Sequence, residues 1–509
     1  MRRQSPTLLA LDVGTTEARA TVHTLNGVVT ASGRSRHTLA FAGTDQVEVD
    51  AWELVGSVTS ALRAVGASLA NVCAVAVGAE LGTVFVDSEL SPLGNALCWP
   101  DKRAWREAAW IADDVGRATI YATTGRVVDP ELPAAKYLWV ERNEPERAKA
   151  ARWLLSIKDF LVSVLCGCAV TDETHASYSM LFDVRRREWS ADLAASLGIG
   201  VSLLPPVLPA SAAAGTITRQ AAELTGLRQG TLVAVGGPDG TVGTLGMGLV
   251  RPGVTTDLVG TADVVFHGTA TPVFDPAQRA VVNAHAVGGL WAVGGPTGTT
   301  GGTVARAARL LGYDDGAEGL ATLDSEATLV PPGSDGLAFM TSLAGDRFPA
   351  WDPTATGVLF GLRLGHTRGH VARAALEGAA YTLRGALEVY RELGLDVKEI
   401  RVAGGGARSR LWSQVRADVC GVPLVPVDVR EATSLGAAML ASVCAGAAPG
   451  LAELSDRLIS LGEPVRPRPE EAAAYRGLYS DYLRLRSELG ASFSFWSDRQ
   501  RHGVGAASG

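Results

Sequence analysis

The sequence has no surplus of basic residues: 46 Lys and Arg stand against 53 Asp and Glu, a formal net charge of −7. Phosphate-backbone binders carry a basic excess or stripe, so this balance argues against nucleic acid or an anionic membrane as the main partner. No uncharged apolar run reaches the ~18 residues that a membrane span needs. The apolar stretch near the N-terminus is broken by Asp12 and is too brief for a signal-peptide core. Cysteine is scarce, with six residues (Cys73, Cys98, Cys166, Cys168, Cys420, Cys444) spread over the whole length. They form neither a CxxC pair nor a His/Cys metal spacing, which predicts free thiols in a reduced, cytoplasmic protein. Two nucleotide signatures are also missing, the Walker G-x-x-x-x-G-K-[ST] and the dinucleotide G-x-G-x-x-G.

What is present is a chain of 509 residues, 47% apolar and 19% charged, able to bury large cores and long enough for two or three domains. Leu8 to Val13 predicts a strand that opens into Gly14-Thr15-Thr16. Ala18 to Thr24 and Val28 to Ser35 predict a hairpin around Asn26-Gly27. From Asp50, Trp52, Val55, Val58, Leu62 and Val65 mark one helix face, and Val72 to Val77 a buried strand. A second strand, Gly-Thr turn and strand occurs at Thr256 to Phe266 around Gly260-Thr261. Two such units half a chain apart suggest a duplicated α/β fold with a cleft between the copies. Helices are predicted over Val371 to Leu393, Ser409 to Cys420 and Glu470 to Leu489, with a frayed end beyond.

Asp12 before Gly14-Thr15-Thr16 brings a carboxylate, backbone N–H groups and hydroxyls to one sheet edge, the parts that hold a phosphate and its Mg²⁺; an ordinary hairpin turn uses the same residues. Arg19 could neutralise charge there. Asp239, in Gly236-Gly237-Pro238-Asp239-Gly240, follows an apolar strand and suits a general base for a hydroxyl nucleophile, although Pro-Asp-Gly is also a common turn. Gly404-Gly405-Gly406-Ala407 lies between strand and helix, a place that suits an adenine nucleotide. Trp99, Asp101 and Arg103 offer an aromatic face, an acceptor and a donor within five residues, as a sugar pocket does, while an isolated Trp is usually packing.

These pieces, with Leu343 to Pro353 and Ser409, come in the order seen in the FGGY carbohydrate kinases, and the sequence resembles that family from about Leu8 to Ala445. The resemblance implies an actin-like ATPase (ribonuclease H-like) α/β fold of two duplicated domains flanking a cleft. Its boundaries fall at 1–249 for sugar and phosphate, 250–490 for nucleotide, and 491–509 as a flexible tail. It implies transfer of the γ-phosphoryl of ATP to a sugar or polyol. Asp12 then resembles the Mg²⁺ partner, Thr15 and Thr16 the phosphate clamp, and Asp239 with Gly240 the catalytic base and its neighbour at the substrate. Gly260, Thr261, Gly302, Gly405, Gly406 and Ser409 resemble the nucleotide contacts. Glu80 and Leu81 fall where the family keeps its substrate-reading pair, and match neither the xylulose-kinase nor the glycerol-kinase version.

A carboxylate at position 80 accepts hydrogen bonds from sugar hydroxyls and repels an aldonate. Two unit charges ~4 Å apart cost on the order of 4 kcal/mol at an effective dielectric near 20, about a thousandfold in binding. The expected substrate is therefore a neutral ketose, xylulose-like. Gluconate is the alternative, because Asp239-Gly240 resembles the gluconate kinases. A non-catalytic sugar and nucleotide sensor on the same scaffold, or a chaperone-like ATPase, fits less well. Homodimer pairing through apolar surface helices is left open.

Overall fold

The computed structural model describes residues 5–502 apart from 44 and 315, and the chain divides into two compact units. Neither is contiguous: one takes residues 1–252, 268–293 and 431–459, the other 253–267, 294–430 and 460–509.

In the first unit, β1 (Thr7–Val13) and β2 (Glu17–Thr24) form an antiparallel hairpin, and β2 pairs in turn with β3 (Val29–Arg36) around Asn26-Gly27. Helix α1 (Ala51–Val65) starts where Asp50 caps the amides of Trp52 and Glu53. It buries Val55, Val58, Leu62 and Val65 of the predicted face together with Leu54, and leaves only Trp52 of that face exposed. Strand β4 (Val72–Ala79) runs parallel to β1 in the centre of a seven-stranded sheet. Central position explains its composition: a strand covered on both faces reads as an unbroken apolar run. A short helix α2 (Glu173–Ser177) follows the N-cap Asp172. Strand β5 (Leu232–Ala234) pairs parallel with β4 on the side away from β1. After a kink, Gly237 and Pro238 pair with Gly78 and Ala79 of the same strand. Gly236 makes that kink with φ of 77°, and a Cβ on it would lie 2.1 Å from the Val77 carbonyl oxygen, so only glycine fits. Helix α3 (Asp239–Gly246) begins directly after.

The second unit repeats this plan. Strands β6 (Thr255–Val259) and β7 (Asp263–Thr269) form an antiparallel hairpin closed by Gly260-Thr261-Ala262, and helix α4 (Thr300–Leu310) packs at that turn. The long helix α5 (Arg368–Glu392) is lined with buried alanines and a glycine; a Cβ on Gly378 would meet the Phe339 carbonyl oxygen at 2.1 Å. Strand β8 (Ile400–Ala403) runs parallel to β6 and ends at Gly404, whose φ of 98° and approach to the Val259 carbonyl match Gly236 on Val77 in the first unit. Helix α6 (Arg410–Cys420), closed by Gly421, leads into strand β9 (Leu424–Pro426), which pairs parallel with β8.

Helix α7 (Ala432–Cys444) belongs to the first unit although some 180 residues separate it from α3. The two helices touch backbone to backbone: a Cβ on Gly436 would lie 1.9 Å from the Val242 carbonyl oxygen, and one on Gly246 2.0 Å from that of Ala432. Helix α8 (Pro469–His502) buries Tyr475, Tyr479 and Tyr482 around Tyr381. It continues through 491–502, where the sequence suggested the start of a tail; 503–509 lie outside the described residues. All six cysteines are free, three of them buried. Among the described residues no helix is long and apolar enough to cross a membrane.

Candidate active site

The register of the first sheet assembles the site. Asp12 of β1 stands opposite Gly78 of β4, and Pro238 opposite Ala79 on the other flank. Asp12, Glu80 and Asp239 therefore lie at the carboxyl ends of three neighbouring parallel strands, where open α/β sheets take their ligands. The Glu80 amide donates to the Val13 carbonyl at 3.0 Å, which ties the residue after β4 to the end of β1.

These carboxyls share one electrostatic field. Burial, then the charge of Asp239, pushes Asp12 up to about 7 against the pull of Arg19. Burial raises Asp239 as well, opposed by the Gly240 amide, which donates to its Oδ1 at 2.6 Å, and by His175. Glu80, only 2% exposed, is pushed up to about 7 by burial, with Asp239 adding to the rise and the Trp99 amide opposing it. That amide donates to Glu80 Oε2 at 3.3 Å, and the Cys98 thiol also meets the buried carboxyl. From residue type alone Glu80 is a fixed negative charge; near neutral pH its burial makes it a mixture of charged and neutral forms.

Around this centre the predicted residues divide. Trp99 donates from Nε1 to Thr15 Oγ1 at 2.9 Å, joining the sugar-pocket candidate to the hydroxyl turn, and Thr16 is exposed beside it. The Gly14 amide, expected to face an anion, instead closes the hairpin onto the Glu17 carbonyl at 3.0 Å. Arg19 is held by ion pairs to Glu17 and Glu431. Asp101 and Arg103 do not form an open donor and acceptor pair. Both are buried, Arg103 binds Asp101 at 2.7 Å and Glu48 at 2.6 Å, and Asp101 also accepts from the Val47 amide at 2.7 Å. These bonds tie the residues after Trp99 to Val47 and Glu48. Leu81 is half-buried and lines a cavity of about 40 Å³ with His175.

In the second unit Gly260 and Thr261 are exposed at the hairpin turn, and Gly302 donates its amide to the Thr261 carbonyl at 2.9 Å. A Cβ on Gly301 would meet the Gly260 carbonyl oxygen at 2.1 Å, so glycines seat the N-terminal turn of α4 against this loop. Gly405 is exposed with nothing within 4 Å of an added Cβ, whereas Gly406 is packed against Trp412 and Val259. Ser409 caps α6: its hydroxyl accepts from the Trp412 amide at 2.9 Å and donates to Asp324 at 2.8 Å, bonds that compete with the expected nucleotide contact. Beneath the turn, Asp257 and Asp263 share Arg416, and Asp263 also accepts from Thr300 Oγ1 at 2.7 Å. Burial, opposed by Arg416 and reinforced by Asp263, pushes Asp257 up to about 8. Sequence reading missed this network, since three residues spread over 160 positions leave no local signal.

Among the described residues no three His, Cys, Asp or Glu side chains group as a metal cage. Asp12 nevertheless fits Mg²⁺, which keeps water and phosphate oxygens in its shell and takes one or two carboxylates. Burial first, and the charge of Asp239 second, hold its carboxyl above the usual range, a penalty on the charged form that a bound cation would relieve.

Comparison with known proteins agrees with this geometry. Residues 7–246 match the N-terminal domain, and residues 258–445 the C-terminal domain, of the FGGY family of carbohydrate kinases. The chain is 31% identical to the autoinducer-2 kinase of Escherichia coli (strain K12), over 96% of this chain and 97% of that one. The crystal structure of xylulose kinase from Rhodospirillum rubrum superposes with a TM-score of 0.87 at 31% identity, covering 96% of this chain and 100% of the other. Gluconate kinase from Lactobacillus acidophilus superposes with a TM-score of 0.90 at 24% identity, covering 97% and 100%, and shares the fold. The mixed α/β architecture with two domains is that of the actin-like ATPases. With both domains of the family matched and catalytic-type carboxylates at the strand ends, the chain belongs to the FGGY family of carbohydrate kinases, ATP-dependent phosphotransferases.

Proposed function

We propose that this kinase phosphorylates a neutral ketose or polyol, xylulose-like, with Asp239 as general base. The observation that carries the substrate class is the buried Glu80 carboxyl beside Trp99 at the strand ends, met by the Trp99 amide and the weakly donating Cys98 thiol and so suited to receive a sugar hydroxyl. Asp239 heads α3 with its carboxyl oriented by the Gly240 amide, and its burial raises its pKa against that bond, which favours proton acceptance. The acceptor hydroxyl gives its proton to Asp239, its oxygen bonds to the γ-phosphorus, and the bond to the ADP oxygen breaks. Asp12 is the residue to hold Mg²⁺, which when bound neutralises charge on the phosphates. Thr15 and Thr16 serve the phosphates in the first unit. Gly260, Thr261, Gly302, Gly405 and Gly406 serve the nucleotide in the second.

Gluconate is a second reading, favoured by the raised pKa of Glu80, which lets this residue become neutral before an anionic substrate. The test is ATP-dependent turnover across xylulose, other pentuloses and hexuloses, polyols, gluconate and autoinducer-2. Preference for gluconate over every neutral sugar and polyol would overturn the first reading in favour of the second.

A further inference from the structure

Behind Asp239 lies a buried polar chain that the kinase reading does not use. Lys158 and Asp172 are fully buried and 3.0 Å apart, and Lys158 also contacts Asp159 at 2.5 Å. Asp172 caps α2, accepting the amides of Thr174 at 2.9 Å and His175 at 3.2 Å, and its Oδ1 lies 3.0 Å from His175 Nδ1. Although burial works against it, Lys158 and His175 hold the Asp172 carboxyl below the usual range, so it stays ionised and can only accept. Nδ1 of His175 must then be the donor, which leaves Nε2 as the ring nitrogen open to a ligand. Nε2 is buried with no hydrogen-bond partner, in a side chain only 4% exposed.

The location gives this orphan atom a purpose. An added Cβ on Gly237 would lie 3.6 Å from Asp172 Oδ2, so the dyad abuts the turn that delivers Asp239 two residues later. His175 also lines the cavity of about 40 Å³ that Leu81, Thr171 and Ser179 share. A water needs roughly 10–15 Å³ by such a measure, so the space takes one end of a sugar and not a whole one, and His175 is among the few polar groups of a mostly apolar lining.

We propose that His175, held by Asp172 and Lys158, is a specificity-determining residue whose Nε2 accepts a hydrogen bond from a sugar hydroxyl other than the one phosphorylated, the hydroxylated end of the sugar entering the cavity beside Leu81. This rests on the reading that the acceptor sugar binds at the strand ends of the first unit. The contact selects for a hydroxyl, because an analogue lacking it leaves a buried acceptor unpaired.

The experiment uses the full chain, the sugar it turns over fastest, and the set of single-deoxy analogues of that sugar. His175→Phe keeps an aromatic ring and removes the acceptor. The expected result is a rise of up to about tenfold in sugar KM, the range of one neutral hydrogen bond, with ATP KM within about twofold of wild type. One deoxy analogue should lose the same factor with wild type and lose nothing further with His175→Phe. An unchanged sugar KM, or deoxy losses as large in the variant as in wild type, overturns the contact. If His175→Phe melts early or fails to fold, His175→Gln, whose amide oxygen can accept, is scored on the same deoxy set, and a full loss of deoxy discrimination without a KM rise refutes the proposal. Wild type turning over no sugar would instead overturn the acceptor reading itself, so the two failures are distinguishable.

Discussion

If Glu80 reads the substrate, its titration sets how the enzyme treats a charged sugar acid. A fixed carboxylate ~4 Å from a second one costs on the order of 4 kcal/mol, about a thousandfold. Burial changes that limit, because a group pushed up to about 7 can take a proton instead of bearing the repulsion. The penalty on anion binding then cannot exceed the cost of protonating Glu80, a factor of one plus ten to the power of pH minus pKa. That factor is about 1 at pH 6, about 2 at pH 7 and about 11 at pH 8. The sign follows from a raised carboxyl pKa: Glu80 is neutral and tolerant below 7, charged and repelling above it. The ratio of gluconate KM to xylulose KM should therefore rise about tenfold between pH 6 and pH 8, and the ratio cancels titrations of Asp12 and Asp239 that affect both sugars. Where gluconate is not turned over, its inhibition constant against xylulose replaces KM. Glu80→Gln should flatten the ratio. A ratio that is flat in wild type, or still sloped in Glu80→Gln, refutes the assignment of Glu80 to the sugar.

Asp239→Asn keeps the shape of the side chain and removes the proton acceptor; turnover should fall by roughly 10²- to 10⁴-fold while calorimetric ATP affinity stays near wild type, and a loss under tenfold would remove the base role. Asp12→Ala should cripple turnover and raise the Mg²⁺ concentration that gives half the residual rate; an unchanged Mg²⁺ dependence makes Asp12 a structural turn residue. Gly436→Ala forces apart the contact between α7 and α3, and should lower the melting temperature and kcat together, since overpacking costs typically ~1–3 kcal/mol and α3 begins with Asp239. Gly477→Ala in α8, where an added Cβ meets nothing within 4 Å, is its control and should leave both unchanged or raise stability slightly.

The parts of the site that could be read from the sequence are those that a few consecutive residues determine. The run from Leu8 to Asp12 followed by Gly14, the Asn26-Gly27 hairpin, and glycines placed between strand and helix are local solutions to local constraints. Each matches a strand, turn or kink in the structure. Gly236 shows how much one residue carries, because its positive φ and contact with Val77 turn the chain from β5 to a second pairing beside Ala79 and leave Asp239 at the head of a helix. Even there the local reading gave a strand end for Asp239 and could not supply the helix, whose stability comes from α7.

What stayed hidden depends on distance in sequence or on burial. Glu431, Thr433 and Gly436 follow the second unit's main segment in the chain yet fold with the first, where Glu431 pairs with Arg19, Thr433 donates to the Asp239 carbonyl at 3.4 Å and Gly436 seats α3. No period or motif announces such a return. Charge is the second blind spot. Asp101 and Arg103 are two positions apart and read as an open donor and acceptor for sugar, but burial leaves neither exposed to one, and an unpaired buried charge is far costlier than the pair they form. The same physics turns Glu80 from a repulsive wall into a titrating group and leaves His175 with one satisfied nitrogen and one bare one. Protonation state and the pairing of buried acceptors are quantities that residue identity alone does not determine.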